Sequence, residues 1–208
     1  MAATLLPIHP ENPEGRKIQQ AAKIIREGGV IIYPTDSLYA LGCDITNNKA
    51  VERIARLKGI KPAKATFSFV CPDLSNIAYY TKPFNNRVYK AMRKHLPGPF
   101  TFILPASNQV PKMLKNNRKQ VGIRVPNSPI VSDLLNVIDA PIMSSSLKNI
   151  DDEVTPYLTD PRDIFDQYKH QVDLIIDGGF GQNEPSTIVD CTSGEAEVIR
   201  QGLGQWEL

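Results

Sequence analysis

Val30-Ile31-Ile32-Tyr33-Pro34-Thr35-Asp36-Ser37-Leu38-Tyr39-Ala40-Leu41-Gly42-Cys43-Asp44 is the stretch from which the fold is read. A short apolar run with strand character stops at a proline, and a threonine, two acids, a serine and a tyrosine follow in a turn. In α/β folds ligands sit just past the ends of buried strands. This turn is therefore the first candidate for a site.

Working outward, residues 16–27 read as an amphipathic helix with Ile18, Ala21, Ala22 and Ile25 on its apolar side and Gly28-Gly29 as its stop. Further helices are expected over 50–57, 74–80, 84–95 and 129–137, the third of these started by Pro83. Strands are expected from Thr66 to Cys71, Phe100 to Leu104, Val121 to Val125, Pro141 to Ser145, Val172 to Ile176, Ser186 to Cys191 and Glu195 to Arg200. Strands and helices alternate early and strands dominate late. That order predicts an α/β fold, an open twisted mixed sheet with flanking helices. No linker or repeat interrupts it, so residues 1–208 read as a single domain.

The composition, 41% hydrophobic and 22% charged, is that of an ordinary globular protein. No apolar run approaches the roughly 18 to 20 residues a bilayer requires. The first residues lack the basic start and apolar core of a secretory signal, and the expected location is cytoplasmic. Cys43, Cys71 and Cys191 are far apart in apolar surroundings and read as buried reduced thiols. His9, His95 and His170 lack metal-ligand spacing, and no tightly bound metal is expected.

A net charge of +2 conceals a division. From Leu74 to Ser132 there are ten basic residues and no acid, whereas Asp133 to Glu197 holds fourteen acids against Lys148, Arg162 and Lys169. A basic field of this size favours phosphate contacts. Arg87, Lys90 and Lys94 fall on one helical side by three- and four-residue spacing. With Lys115 and Arg118 they form the expected contact set for structured, double-stranded RNA, read by backbone and shape. The competing reading is that these are solvated helix faces that lean positive. The acid-free third and the turn at Thr35 are expected to converge on one concave basic cleft.

Several stretches carry a family resemblance. The turn is similar to the Pro-Thr-Asp-Thr-x-Tyr-Gly-Leu-Gly signature of the YrdC/YciO family. Further matches follow in order: Arg53 to Gly59, Pro97 to Leu104, Val121 to Pro126, Ser144 to Ser146, Asp177 to Gly179, Pro185 to Asp190 and Ile199 to Gly202. The synthase branch makes threonylcarbamoyl-adenylate from threonine, bicarbonate and ATP and releases pyrophosphate; the product serves tRNA modification. The resemblance implies ATP or AMP with magnesium as ligand. It also implies Lys58, Lys61, Ser145, Ser186 and Arg200 as nucleotide contacts, with Lys58 catalytic, and a threonine pocket bordered by Thr35, Tyr39 and Arg124.

Two departures point to the YciO-like branch. The synthases carry Lys-x-Arg and, much later, Ser-x-Asn; here Lys58 is followed two residues on by Ile60, and Ser145 by Leu147. Neither Ile60 nor Leu147 can hydrogen-bond a phosphate or ribose, and Lys61 lacks a bidentate fork. Two functions follow: a protein holding structured RNA, tRNA included, with a nucleotide in the cleft, or a threonylcarbamoyl-AMP synthase acting in tRNA threonylcarbamoyladenosine formation.

Overall fold

A computed structural model of the chain describes residues 2–61, 67–75, 77–147 and 157–207. Thr66, the expected start of one strand, Asn76 and Lys148 lie outside them. The described strands are β1 (Thr4–Pro7), β2 (Ile31–Tyr33), β3 (Ala40–Asp44), β4 (Ser68–Val70) and β5 (Phe100–Pro105), followed by β6 (Gln120–Arg124), β7 (Ile142–Ser146), β8 (Leu174–Asp177), β9 (Thr187–Asp190) and β10 (Glu197–Arg200). They form one mixed sheet in the order β1-β8-β2-β3-β7-β4-β6-β5-β9-β10. The pairs β1·β8, β2·β8, β4·β6 and β5·β9 are parallel; the others are antiparallel.

The helices are α1 (Gly15–Arg26), α2 (Asn48–Leu57), α3 (Ile77–Tyr80), α4 (Asn86–His95), α5 (Pro129–Ile138) and α6 (Pro161–Tyr168). Four of their starts, at α2, α4, α5 and α6, are set by side chains that satisfy orphan N–H groups. The amide of Ala50 donates to Asn47 at α2, that of Val88 to Asn85 at α4, and that of Arg162 to Asp160 at α6. Pro129 and Pro161 stand at first helical positions, where no N–H is missed. Past the ends of α1 and α2 the chain turns through left-handed Gly28 and Gly59.

Two apolar layers sandwich the sheet. On one face α1 and α5 bury Ile18, Ala21, Ile25, Val131 and Leu134 against Ile31, Tyr33, Ala40, Val70, Ile142, Leu174 and Ile176. On the other, α2, α4 and α6 bury Val51, Ile54, Val88, Met92 and Ile164 against Ile32, Leu41, Phe69, Phe102, Ile123, Met143 and Ile175. Side chains alternate between faces along each strand, so the register fixes which residues share a side.

The expected elements are present, with boundaries moved by a few residues. Sequence patterning missed β1, β3 and α6. Ala40-Leu41-Gly42 lacks the usual strand composition, yet β3 fills the gap between β2 and β7. Its glycine has a steric reason: the Tyr33 ring crosses over Gly42 so that its hydroxyl donates to Ser144 Oγ at 2.8 Å. A Cβ at Gly42 would stand 2.6 Å from Tyr33 Cε1 and 2.9 Å from Ile142 Cγ2. Gly42→Ala should therefore lower stability by about 1–3 kcal/mol through overpacking, read as a reduced urea midpoint.

Candidate functional site

The register places Ser144 and Ser146 of β7, Ser68 of β4, and Gly122 and Arg124 of β6 on the face that α1 and α5 pack against. Thr101 and Arg200 join them through the pairings of β5, β9 and β10. None of these residues belongs to the apolar cluster that the two helices complete. The sheet thus continues as a floor of small and polar groups interspersed with Ile103 and Ile188. Gly122 keeps it flat, since a Cβ there would lie 2.8 Å from Ser68 Oγ.

The loop after β2 reaches across to this floor. Arg124 Nη2 donates to Asp36 Oδ1 at 3.1 Å and to Ser37 Oγ at 2.9 Å, and the Asn127 amide donates to Asp36 Oδ2 at 2.8 Å. The pair is buried, the Arg124 and Asp36 side chains being 10% and 7% exposed. Arg124 Nε is also buried and has no partner. Thr35 Oγ1 donates to Leu38 O at 2.7 Å and accepts from the Ser37 amide at 3.1 Å, so this hydroxyl closes its own turn.

At the far side of the floor Arg200 Nη2 donates to Ser186 O at 2.7 Å, and the Ser186 and Thr101 hydroxyls are 2.9 Å apart. Arg200 is held below the usual guanidinium range, first by burial and then by the like charge of Arg124, partly offset by Tyr157. Lys58 arrives from the end of α2, on the other side of the sheet, and donates to Ser146 O at 2.7 Å. Burial brings its ammonium down to about 8. Tyr39 OH donates to Gly179 O at 2.7 Å and accepts from the Gly178 amide at 3.1 Å; burial raises it to about 12.

The structure brings Thr35, Arg124, Ser186 and Arg200 to one face, with Lys58 at the end of β7. Ser145 projects to the opposite face, paired with Leu41. Lys61 is exposed beyond α2. Ile60 and Leu147 both pack against the apolar cluster, so the two departures are filled by hydrophobic contact. Sequence reading missed Asp36, Ser37, Thr101, Ser144 and Ser146. Asp36 and Ser37 stand inside the stretch quoted first, and the period-two pattern around Ser144 was the signal for the others.

Of the basic third, Arg124 meets the Thr35 loop, whereas the cations of α4 do not. Helix α4 packs its Val88 and Met92 on the other face of the sheet. Arg87 pairs with Glu195 at 2.9 Å, and Lys94 with Glu207 at 3.8 Å. Lys115 Nζ donates to Asn108 O, while Lys90 and Arg118 are exposed. Glu195 and Glu207 thus meet two of these cations in exposed pairs.

Comparison with known proteins fits this geometry. The Sua5/YciO/YrdC family model, described as "Telomere recombination", matches residues 23–202. The YciO protein of Escherichia coli is 43% identical over 198 residues, covering 95% of this chain and 94% of that one. Its crystal structure superposes with a TM-score of 0.89 at 40% identity, covering 98% of this chain and 97% of that one. A threonylcarbamoyl-AMP synthase of Coxiella burnetii is 30% identical over 181 residues, covering 86% of this chain and 95% of that protein. The crystal structure of P. abyssi Sua5 complexed with L-threonine superposes with a TM-score of 0.86 at 27% identity, covering 96% of this chain and 58% of that one.

Removing one member of a buried ion pair strands the other. Asp36→Ala should cost about 3–5 kcal/mol, and adding Arg124→Met should recover much of it, as measured by a denaturation double-mutant cycle. Lys58 gives a pH signature. The folded chain loses this proton near 8 while the reference value is 10.5, so the unfolded chain binds more protons between these pH values. Stability contributed by Lys58 must rise with pH across that window. The wild-type denaturation midpoint, measured relative to Lys58→Met, should rise through it; a flat difference would refute the assignment.

Proposed function

The chain belongs to the Sua5/YciO/YrdC family, and from that premise we propose that its polar sheet face binds ATP with threonine and forms threonylcarbamoyl-AMP. One observation carries this reading. Arg124 and Arg200 share the polar face through the pairings of β6, β5, β9 and β10, and the buried Nε of Arg124 has no hydrogen-bond partner. An anion set against these guanidiniums would meet an unused donor, and its charge would be held strongly in a site of low dielectric. The relatives named as threonylcarbamoyl-AMP synthases and the threonine complex of Sua5 give the substrate class.

In this reaction the threonine amine and bicarbonate give a carbamate with loss of water. A carbamate oxygen then attacks the α-phosphorus of ATP and pyrophosphate leaves. Lys58, charged below pH about 8, and Arg200 would hold the phosphates and stabilise the leaving pyrophosphate. Arg124 would meet the amino-acid carboxylate, and the Ser186 hydroxyl the nucleotide. Magnesium would arrive with the triphosphate. With Ile60 and Leu147 in the positions of a guanidinium fork and an amide, the rate is expected to fall orders of magnitude below that of an intact clamp.

A second reading has its own observation. Lys90 is exposed on α4, which packs on the sheet face opposite the polar one, and Arg118 is exposed in the turn before β6. Structured RNA, tRNA included, would bind there through phosphate contacts, with affinity falling steeply as salt rises.

Incubation with ATP, threonine and bicarbonate should yield the adenylate by mass spectrometry, with threonine-dependent pyrophosphate release. Lys58→Ala and Arg200→Ala should each reduce it by about 100-fold or more, as loss of a charge stabiliser does elsewhere. Absence of both product and ligand binding would sink the enzymatic reading. An RNA affinity unchanged by Lys90→Ala with Arg118→Ala would remove the second.

A further inference from the structure

The segment after β8 reads Asp177-Gly178-Gly179-Phe180-Gly181-Gln182. Its backbone is fastened at every residue around Phe180. The Gly178 amide donates to Tyr39 OH at 3.1 Å, and Tyr39 OH donates to Gly179 O at 2.7 Å. The Gly179 amide donates to Asp177 Oδ1 at 2.9 Å, that of Gly181 to Thr159 O at 2.8 Å, and that of Gln182 to Ser37 O at 3.1 Å. Two of these partners, Ser37 and Tyr39, belong to the loop that reaches Arg124.

The glycines are required by that fit. A Cβ at Gly178 would lie 2.7 Å from Pro34 Cγ, and one at Gly181 2.7 Å from the Tyr39 ring; Gly179 sits at φ +88°. Between Gly178 and Gly181 Phe180 alone carries a side chain, and it is 79% exposed. Folding gains little from a phenyl ring left in water, since the hydrophobic contribution scales with area removed from it. A rigid backbone that holds an apolar ring in solvent beside a binding loop is preorganised for a ligand, and ordering it on binding costs little.

We propose that Phe180 is a binding residue that caps the amino-acid end of the site, packing its ring over the aliphatic part of the bound threonine and excluding water from it. This rests on the reading that threonine binds beside Thr35, Tyr39 and Arg124. The ring adds apolar contact at a site whose other groups are polar, and so favours an amino acid with a methyl group over one without it. The nucleotide end, at Ser186 and Arg200, is served by other strands and is independent of the cap.

The test is titration calorimetry of wild type and Phe180→Ala with L-threonine, with serine and with ATP. The expected result is about a tenfold weaker threonine affinity in the variant, a smaller loss for serine, unchanged ATP binding and an unchanged melting temperature. Phe180→Trp supplies a second readout, a fluorescence change on adding threonine. The native Trp206 stacks on His95 with ring centroids 4.4 Å apart and serves as a constant background. If wild type binds threonine and Phe180→Ala binds it equally well, the cap is wrong and the site reading stands. If wild type takes no threonine, both fall together.

Discussion

The buried pair between Asp36 and Arg124 is the constraint around which the site is arranged. It joins the loop after β2 to the end of β6, two strands separated in the sheet by β3, β7 and β4. Taking both charges out of water costs several kcal/mol per ion unless good geometry and further hydrogen bonds offset it. Ser37 and the Asn127 amide supply those bonds. The loop must therefore lie over the sheet, and the sheet beneath it must be low and polar. Ser68, Gly122 and Ser144 meet that demand, and the same demand explains why the apolar cluster of α1 and α5 stops short of β6.

Much of the architecture was legible because it rests on local rules. Gly28-Gly29, the apolar face of α1 and the core-facing Val88 and Met92 of α4 mark element ends and packing sides without tertiary information. The Thr35 turn was legible as a break after a buried strand for the same reason. The spatial grouping was not. Whether Ser145 or its neighbours share a face with Arg124 depends on a register that a single residue inverts. The basic third looked like one surface because Arg87, Lys94 and Arg124 are close in sequence. A helix that buries Val88 and Met92 carries its cations to the other side of the sheet, where Glu195 and Glu207 meet two of them. Charge patterning along a chain is evidence about a surface only after the fold assigns the faces.

Tyr39 shows a different limit. Its hydroxyl is occupied by the backbone of Gly178 and Gly179, and its ring is buried. It holds the β8 loop against the β2 loop, a role no motif position conveys. Thr35 likewise spends its hydroxyl on Leu38 and Ser37. What these two residues give the site is shape.

Ile60 and Leu147 bear on the proposed synthase reading. Each stands where the synthases place a hydrogen-bonding group, and each packs against the apolar cluster. Arg124, Arg200 and Lys58 remain, and they attract an anion whether it is a ground state or a transition state. Interactions made equally with both lower the dissociation constant without raising the turnover rate. The groups exchanged for packing are those that would orient phosphate as charge develops on the leaving pyrophosphate. Under the proposed synthase reading, such a site would hold its ligands well and turn them over slowly.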